Sequence, residues 1–265
     1  MKCGMIKISP TVLVDQIPKS SFVWYEDDWV HEADPHSHKR AQLVYVEEGF
    51  QYLHIDKKII LLPQNHAAWI PSNLLHKTTT EATSIRLMTL FFDVEEQDAF
   101  YDNICIFTVP VVLKEMLKYA AKWSKKQEYS IEEEAFLLAI FRELPNFVKH
   151  SLTLSIPVPE DSRLTVVCHY INKHFCEDIN IIELAEAANL SLRTLERIFK
   201  KETGITVLKY IQLVKIIKSI EYLGTGEYTI SEVAHKVGYK SLQAYSTSFY
   251  MLIKERPTAF LKFRI

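Results

Sequence analysis

Between residues 11 and 109 the apolar positions come in short runs broken by turn residues: SFVWY, AQLVYV, YLHI, KIILLP, AAWIP, SIRLMTLFF and NICIFTV. β-Branched, aromatic and aliphatic residues in runs of this length predict strands rather than helices, and so an all-β unit. From 110 to 150 the period changes. Val112, Met116, Leu117 and Ala120 recur three and four apart in one segment, and Ile131, Phe136, Leu137, Ile140 and Phe141 in a second. That spacing predicts two amphipathic helices. Ser130 is placed to cap the second, with Glu132, Glu133 and Glu134 in its first turn, where the helix dipole favours negative charge. Residues 151 to 162, SLTLSIPVPEDS, bring prolines and a polar cluster that disfavour a continuing helix, so a connector and the domain boundary are expected there. From 163 onward every segment reads as helix.

Two of those segments resemble each other: LAEAANLSLRTLERIF (184 to 199) and VAHKVGYKSLQAYSTSF (233 to 249). With one extra residue allowed before the second serine, Ala185 matches Ala234, Ser191 matches Ser241, Leu192 matches Leu242, Leu195 matches Tyr245 and Phe199 matches Phe249. Each copy has the grammar of a helix-turn-helix: a short helix with a small alanine at a close crossing, a turn, a serine cap and a second helix. In the first copy Leu195, Ile198 and Phe199 must face the core, which leaves Arg193, Glu196, Arg197 and Lys200 on the outer face. Arg can bond guanine O6 and N7 bidentately, and Glu196 can accept from a cytosine amino group or pair with a neighbouring cation. In the second copy Gln243, Ala244, Ser246 and Thr247 point outward, an uncharged face suited to hydrogen bonding. Between the copies, ITVLKYIQLVKIIKSIEYL (205 to 223) reads as one helix of roughly 27 Å, able to hold the units about one DNA turn apart. Lys200, Lys201, Lys209, Lys215, Lys218 and Lys236 are candidates for phosphate contacts.

Composition sharpens this picture only in places. The 265 residues suit two compact modules, and 48% hydrophobic with 24% charged is ordinary for a soluble protein. Residues 161 to 265 hold 15 Lys+Arg against 11 Asp+Glu, whereas residues 1 to 160 hold 16 against 22. A basic half joined to an acidic half fits a polyanion partner for the former. Cys3, Cys105, Cys168 and Cys176 form neither a Cys-x-x-Cys pair nor a disulfide framework, which fits a reducing cytoplasm. MKCGMIKISP lacks the apolar core of a signal peptide, and no run approaches the ~18 apolar residues that span a bilayer.

Residues 163 to 265, through LAEAANLSLRTLERIFKKETGITVLKYI and ISEVAHKVGYKSLQAYSTSFYMLIKERPTAFLKFR, resemble the DNA-binding domain of AraC/XylS-type transcription regulators. The resemblance implies a domain of seven helices with two helix-turn-helix units. Its groove-facing residues would be Arg193, Glu196 and Arg197 in the first unit, and Leu242, Gln243, Ser246 and Thr247 in the second. Val214 and Lys215 stand where these regulators usually carry Arg-Leu, Lys254 where a glycine is usual, and Thr247 where arginine is frequent.

PHSHKRAQLVYVEEG puts His36, His38 and Gln42 on one parity of an extended segment, and IPSNLLH ends in His76. Residues two apart in a strand share a face, so a neighbouring strand can bring His76 to the other three. These motifs are similar to the two cupin motifs, which implies that residues 1 to 109 form a cupin-like β-barrel, the sensor domain of many such regulators. Two occupants stay open. His36, His38 and His76 can hold a divalent metal, although Gln42 replaces the glutamate of the metal motif and removes an anionic ligand. Alternatively His36, His38, Gln42 and His76, with Tyr45 and Trp69, line the pocket of a small effector. His31, His54 and His66 show no comparable pattern.

The fold expected is therefore α+β: a cupin-like barrel (1 to 109), a helical segment (110 to 150), a linker (151 to 162) and an all-α double helix-turn-helix domain (163 to 265). The function expected is sequence-specific transcription regulation on double-stranded DNA by a cytoplasmic homodimer under control of a small effector; activator is the class named, though the residues do not separate activation from repression. A metal-dependent cupin enzyme with a helical appendage is the alternative. Helices at 110 to 150 either dimerise or pack on the barrel; if they dimerise, Leu137→Glu or Ile140→Glu should yield folded monomers.

Overall fold

The computed structural model describes residues 14–27, 34–94, 98–124, 126, 128–148 and 154–262; Cys3, His31 and residues 149–153 of the expected helical segment and connector lie outside them. Two compact units are formed, one by residues 1–53 with 64–153 and one by 54–63 with 154–265.

All seven apolar runs form strands: β1 (Ser21–Asp27), β2 (Ala41–Glu48), β3 (Phe50–Ile55), β4 (Lys58–Pro63), β5 (His66–Ile70), β7 (Arg86–Phe92) and β8 (Cys105–Thr108). Two three-residue strands join them, β6 (Lys77–Thr79) and β9 (Ser155–Pro157). In the first unit β1, β7, β2, β5 and β8 make an antiparallel five-stranded sheet in that order. The closed barrel expected from the motifs is not what the described strands form. β6 lies beside β3, β4 pairs with β9, and no ladder joins either to the five-stranded sheet. β1 and β8 remain the edges of the five-stranded sheet among the described residues, and a sheet that keeps two edges is not closed.

Strand alternation decides what each face of the sheet meets. Val23, Ala41, Leu43, Tyr45, Ala67, Trp69, Met88, Leu90 and Phe92 pack on one side against helices α1 (Val111–Ala120) and α2 (Ile131–Phe147). Phe22 and Phe91 stack on the opposite face, 4.9 Å between centroids. The helices contribute Leu113, Leu117, Leu137, Ile140, Phe141 and Leu144, all buried. Leu137 and Ile140 thus pack within their own unit, the second of the two expected alternatives, and the Leu137→Glu and Ile140→Glu substitutions offered for the first would put a charge in the core. Ser130 caps α2, accepting from the Glu133 N–H. Glu133 also accepts from Lys19 Nζ at 2.7 Å, with both side chains buried, which ties the approach to β1 to the first turn of α2.

In the second unit seven helices are described: α3 (Ser162–Lys173), α4 (Ile181–Ala187), α5 (Leu192–Thr203), α6 (Val207–Thr225), α7 (Ile230–Lys236), α8 (Leu242–Ile253) and α9 (Pro257–Lys262). α6 is buried on most of its circumference, as an all-round apolar pattern requires. α4 with α5 and α7 with α8 repeat one design. Ala185 and Ala234 are buried, Ser191 caps α5 by accepting from Thr194 N–H, and Ser241 caps α8 by accepting from Ala244 N–H. Each turn passes through a left-handed residue, Asn189 (φ 55) or Gly238 (φ 77). The next N–H then reaches back, Leu190 to the Ala185 carbonyl and Tyr239 to that of Ala234, both at 2.9 Å. The extra residue of the second copy follows directly, as Lys240.

Candidate functional sites

The histidine cluster sits where the segment preceding β2 meets the segment after β5. His36 and His76 form an isolated antiparallel bridge, with N–H···O distances of 2.8 and 2.9 Å in the two directions. The ring centroids lie 4.5 Å (His36–His76), 5.4 Å (His38–His76) and 6.2 Å (His36–His38) apart. One ring nitrogen from each lies within 4.8 Å of the others, the one such histidine cluster among the described residues.

Each ring is oriented by the backbone two residues away. His38 Nδ1 meets the Arg40 carbonyl at 2.5 Å, His76 Nδ1 that of Leu74 at 2.8 Å, and His36 Nδ1 that of Asp34 at 3.4 Å. A carbonyl only accepts, so Nδ1 carries the proton in each neutral ring and Nε2 is left with a lone pair. The Gln42 amide donates to His76 Nε2 at 3.1 Å. His38 Nε2 is buried with no hydrogen-bond partner. Burial lowers the His38 pKa, opposed in part by the bond to the Arg40 carbonyl and by the Gln42 side chain, so the fold favours the neutral ring.

His66 supplies the contrast. Its Nδ1 bonds the Gln64 carbonyl at 2.9 Å in the same manner, but Thr108 Oγ1 answers Nε2 at 3.0 Å. Burial pushes its pKa down to about 4. It is a satisfied core histidine, and His38 is not. Tyr45 and Trp69 do not join the cluster. They have odd parity on β2 and β5 and lie on the helix-packed face, Trp69 donating to the Tyr101 carbonyl at 3.0 Å, whereas Gln42 faces the other way. The sequence reading that put them in one pocket is corrected by the period of two. The motif reading passed over Arg40, whose buried guanidinium bonds Asp93 and the Ile17 carbonyl and lies 5.0 Å over Phe22.

In the second unit Arg193, Glu196, Arg197 and Lys200 are all exposed along α5. None enters an ion pair among the described residues, so Glu196 is not neutralised by its neighbours. On α8, Leu242, Gln243 and Thr247 are exposed and Ser246 half-buried. Thr247 Oγ1 donates to the Gln243 carbonyl at 2.9 Å, the local back-bonding expected of a helical threonine. Of the lysines expected to meet phosphates, Lys215 turns inward to the Gly238 carbonyl at 3.2 Å and Lys218 pairs with Glu221 at 3.1 Å. Lys254, where a glycine is usual, holds a left-handed φ of 64°. No described helix is long and apolar enough to cross a membrane.

Comparison with known proteins matches residues 20–145 to the AraC-like ligand binding domain and residues 184–262 to the Helix-turn-helix domain of the HTH_18 type. The chain is 24% identical over 226 residues to the HTH-type transcriptional regulator NimR of Escherichia coli (strain K12), covering 85% of this chain and 81% of NimR. It is 28% identical over 110 residues to the HTH-type transcriptional activator RhaS of Salmonella schwarzengrund (strain CVM19633), covering 42% of this chain and 40% of RhaS. Among solved structures, fatty-acid-bound ToxT from Vibrio cholerae strain SCE256 aligns over 91% of this chain and 95% of that one, at 13% identity and a TM-score of 0.38.

Proposed function

The chain belongs to the AraC family of DNA-binding transcription regulators, a family of regulators and not of enzymes, and from that premise we propose how it reads DNA and what sets its state. α5 and α8 enter two successive major grooves of one duplex. The observation that carries this is the pair of serine-capped helices, each presenting an exposed face, joined by a 19-residue helix of about 28 Å. A footprint of the full chain on a duplex selected from random sequence tests it. Two protected major-groove segments about one turn apart are expected; protection of a single segment overturns the reading.

A small effector docks over His38, Gln42 and His76 in the first unit and shifts the population of DNA-competent states. The buried His38 Nε2, which has no well-formed hydrogen bond, favours a ligand with a hydroxyl or N–H donor. A divalent cation is the second reading, favoured by three rings whose Nδ1 atoms face backbone carbonyls, so that Nε2 is the nitrogen each would turn to a metal, with His76 giving up its bond from Gln42. Ligand atoms on a tetrahedral zinc stand about 3.4 Å apart, so the cluster would have to tighten, and Gln42 adds no charge.

Dimerisation uses the outward faces of α1 and α2, where Val112, Tyr119, Ile131 and Leu138 are exposed. Leu138→Glu should therefore give folded monomers by light scattering, and an unchanged dimer would reject this surface.

A further inference from the structure

α8 is the one of the two candidate reading helices with no charge of its own: Leu242–Ile253 holds no Asp, Glu, Lys or Arg. Affinity for a duplex comes largely from cations on phosphates. Those nearest in sequence are poorly placed. Lys240 lies 3.1 Å from Asp178, and Lys254 sits at the C-terminal end of the helix.

Arg256 lies beyond that end, yet its side chain folds back along α8. Its Nη1 lies 3.5 Å from Ser246 Oγ, and its Cζ is 5.7 Å from the centroid of the Tyr250 ring. Ser246 and Tyr250 are one helical turn apart and lie beside Gln243 and Thr247. The guanidinium is exposed, and its contact with Ser246 is long enough to exchange for a stronger one. Its backbone is tied down, because the Arg256 carbonyl accepts from Phe260 N–H at 3.0 Å in opening α9. The side chain is thus held at its root, while its tip is steered only by the long contact with Ser246 and by the Tyr250 ring.

We propose that Arg256 supplies the second unit's missing cation, binding a backbone phosphate at the edge of the groove that α8 enters while Ser246 and Tyr250 hold the guanidinium on course. This rests on the reading of α8 as a groove-facing helix. Such a contact adds affinity and orientation but no sequence information.

The test measures full-chain binding to the selected duplex by fluorescence anisotropy from 50 to 300 mM salt, for wild type, Arg256→Gln and Arg256→Lys, with thermal unfolding as the folding control. Losing one phosphate contact should lower the slope of log K against log salt by about 0.9 and weaken binding severalfold. Arg256→Lys should keep the slope, and the bases chosen in a repeat selection should stay the same. A folded Arg256→Gln chain with the wild-type slope overturns the proposal, and so does a change in the selected bases, which would make Arg256 a base reader. Arg193→Ala runs in parallel: if it weakens binding while Arg256→Gln does not, DNA reading stands and the role of Arg256 falls.

Discussion

The two helix-turn-helix units share a blueprint and differ in what they offer a duplex. α5 carries Arg193, Glu196, Arg197 and Lys200 on its exposed face; α8 carries Leu242, Gln243, Ser246 and Thr247. Their caps, left-handed turn residues and buried alanines correspond position for position. Scaffold and readout are therefore separable. The inward residues repeat because two short helices cross closely only over a small side chain, while the outward residues are released from that constraint. The turns differ too. Asn189 fills its left-handed position with a residue that tolerates it, whereas a Cβ on Gly238 would stand 2.2 Å from the Cys176 carbonyl oxygen.

The sharpest way to break the contrast is on the charged side. Arg193→Ala with Arg197→Ala should cost about 2–6 kcal/mol of specific affinity by anisotropy, and Gln243→Ala no more than about 1–3. Equal losses would erase the distinction between the readouts. Next come the turns. Gly238→Ala must adopt a left-handed φ and push aside backbone, a cost of about 3 kcal/mol in the unfolding of the second unit. Asn189→Gly should be nearly neutral, and matching losses would show that the turns are equivalent after all.

Acid separates the two units by another route. The His66 pKa is about 4 in the fold against 6.5 for the free side chain, so its contribution is complete above pH 6.5 and declines as pH falls toward 4. The loss reaches about 3 kcal/mol and should be absent in His66→Gln, as followed by thermal unfolding between pH 7 and 4. A wild-type and variant that lose stability in parallel would dismiss it. The smallest effect concerns what the units share: Ser191→Ala and Ser241→Ala should each cost about 1 kcal/mol, alike in both copies.

Much of this architecture was legible beforehand. Each apolar run became a strand because runs of that length have few alternatives, and the serine caps were readable because their chemistry is local. β6 and β9 were not: KTT and SIP are too short and too polar to announce themselves. Periodicity revealed that α2 has an apolar face but not what the face meets, so dimer contact and packing on the sheet stood as alternatives for Leu137 and Ile140 until the sheet was seen to take them. Tyr45 and Trp69 were grouped with the histidines by proximity along the chain, although parity sends them to the opposite side. The Lys19–Glu133 pair spans 114 positions and carries no sequence signal. The sequence separated His38 from His66 by motif but could not show that Thr108 meets His66 at Nε2.

The carbonyl anchors of the three clustered histidines bear on the entropy of binding. A ring steered by a backbone oxygen two residues away has already lost its rotational choice when the chain folded. Immobilising a side chain at an interface costs about 0.5–1.5 kcal/mol, so up to three rings set in advance would relieve the proposed effector of roughly 2–4 kcal/mol. At 1.4 kcal/mol per factor of ten, that is on the order of 30- to 1,000-fold in affinity gained without any further contact. The proposed effector can then be a weakly interacting molecule present at low concentration.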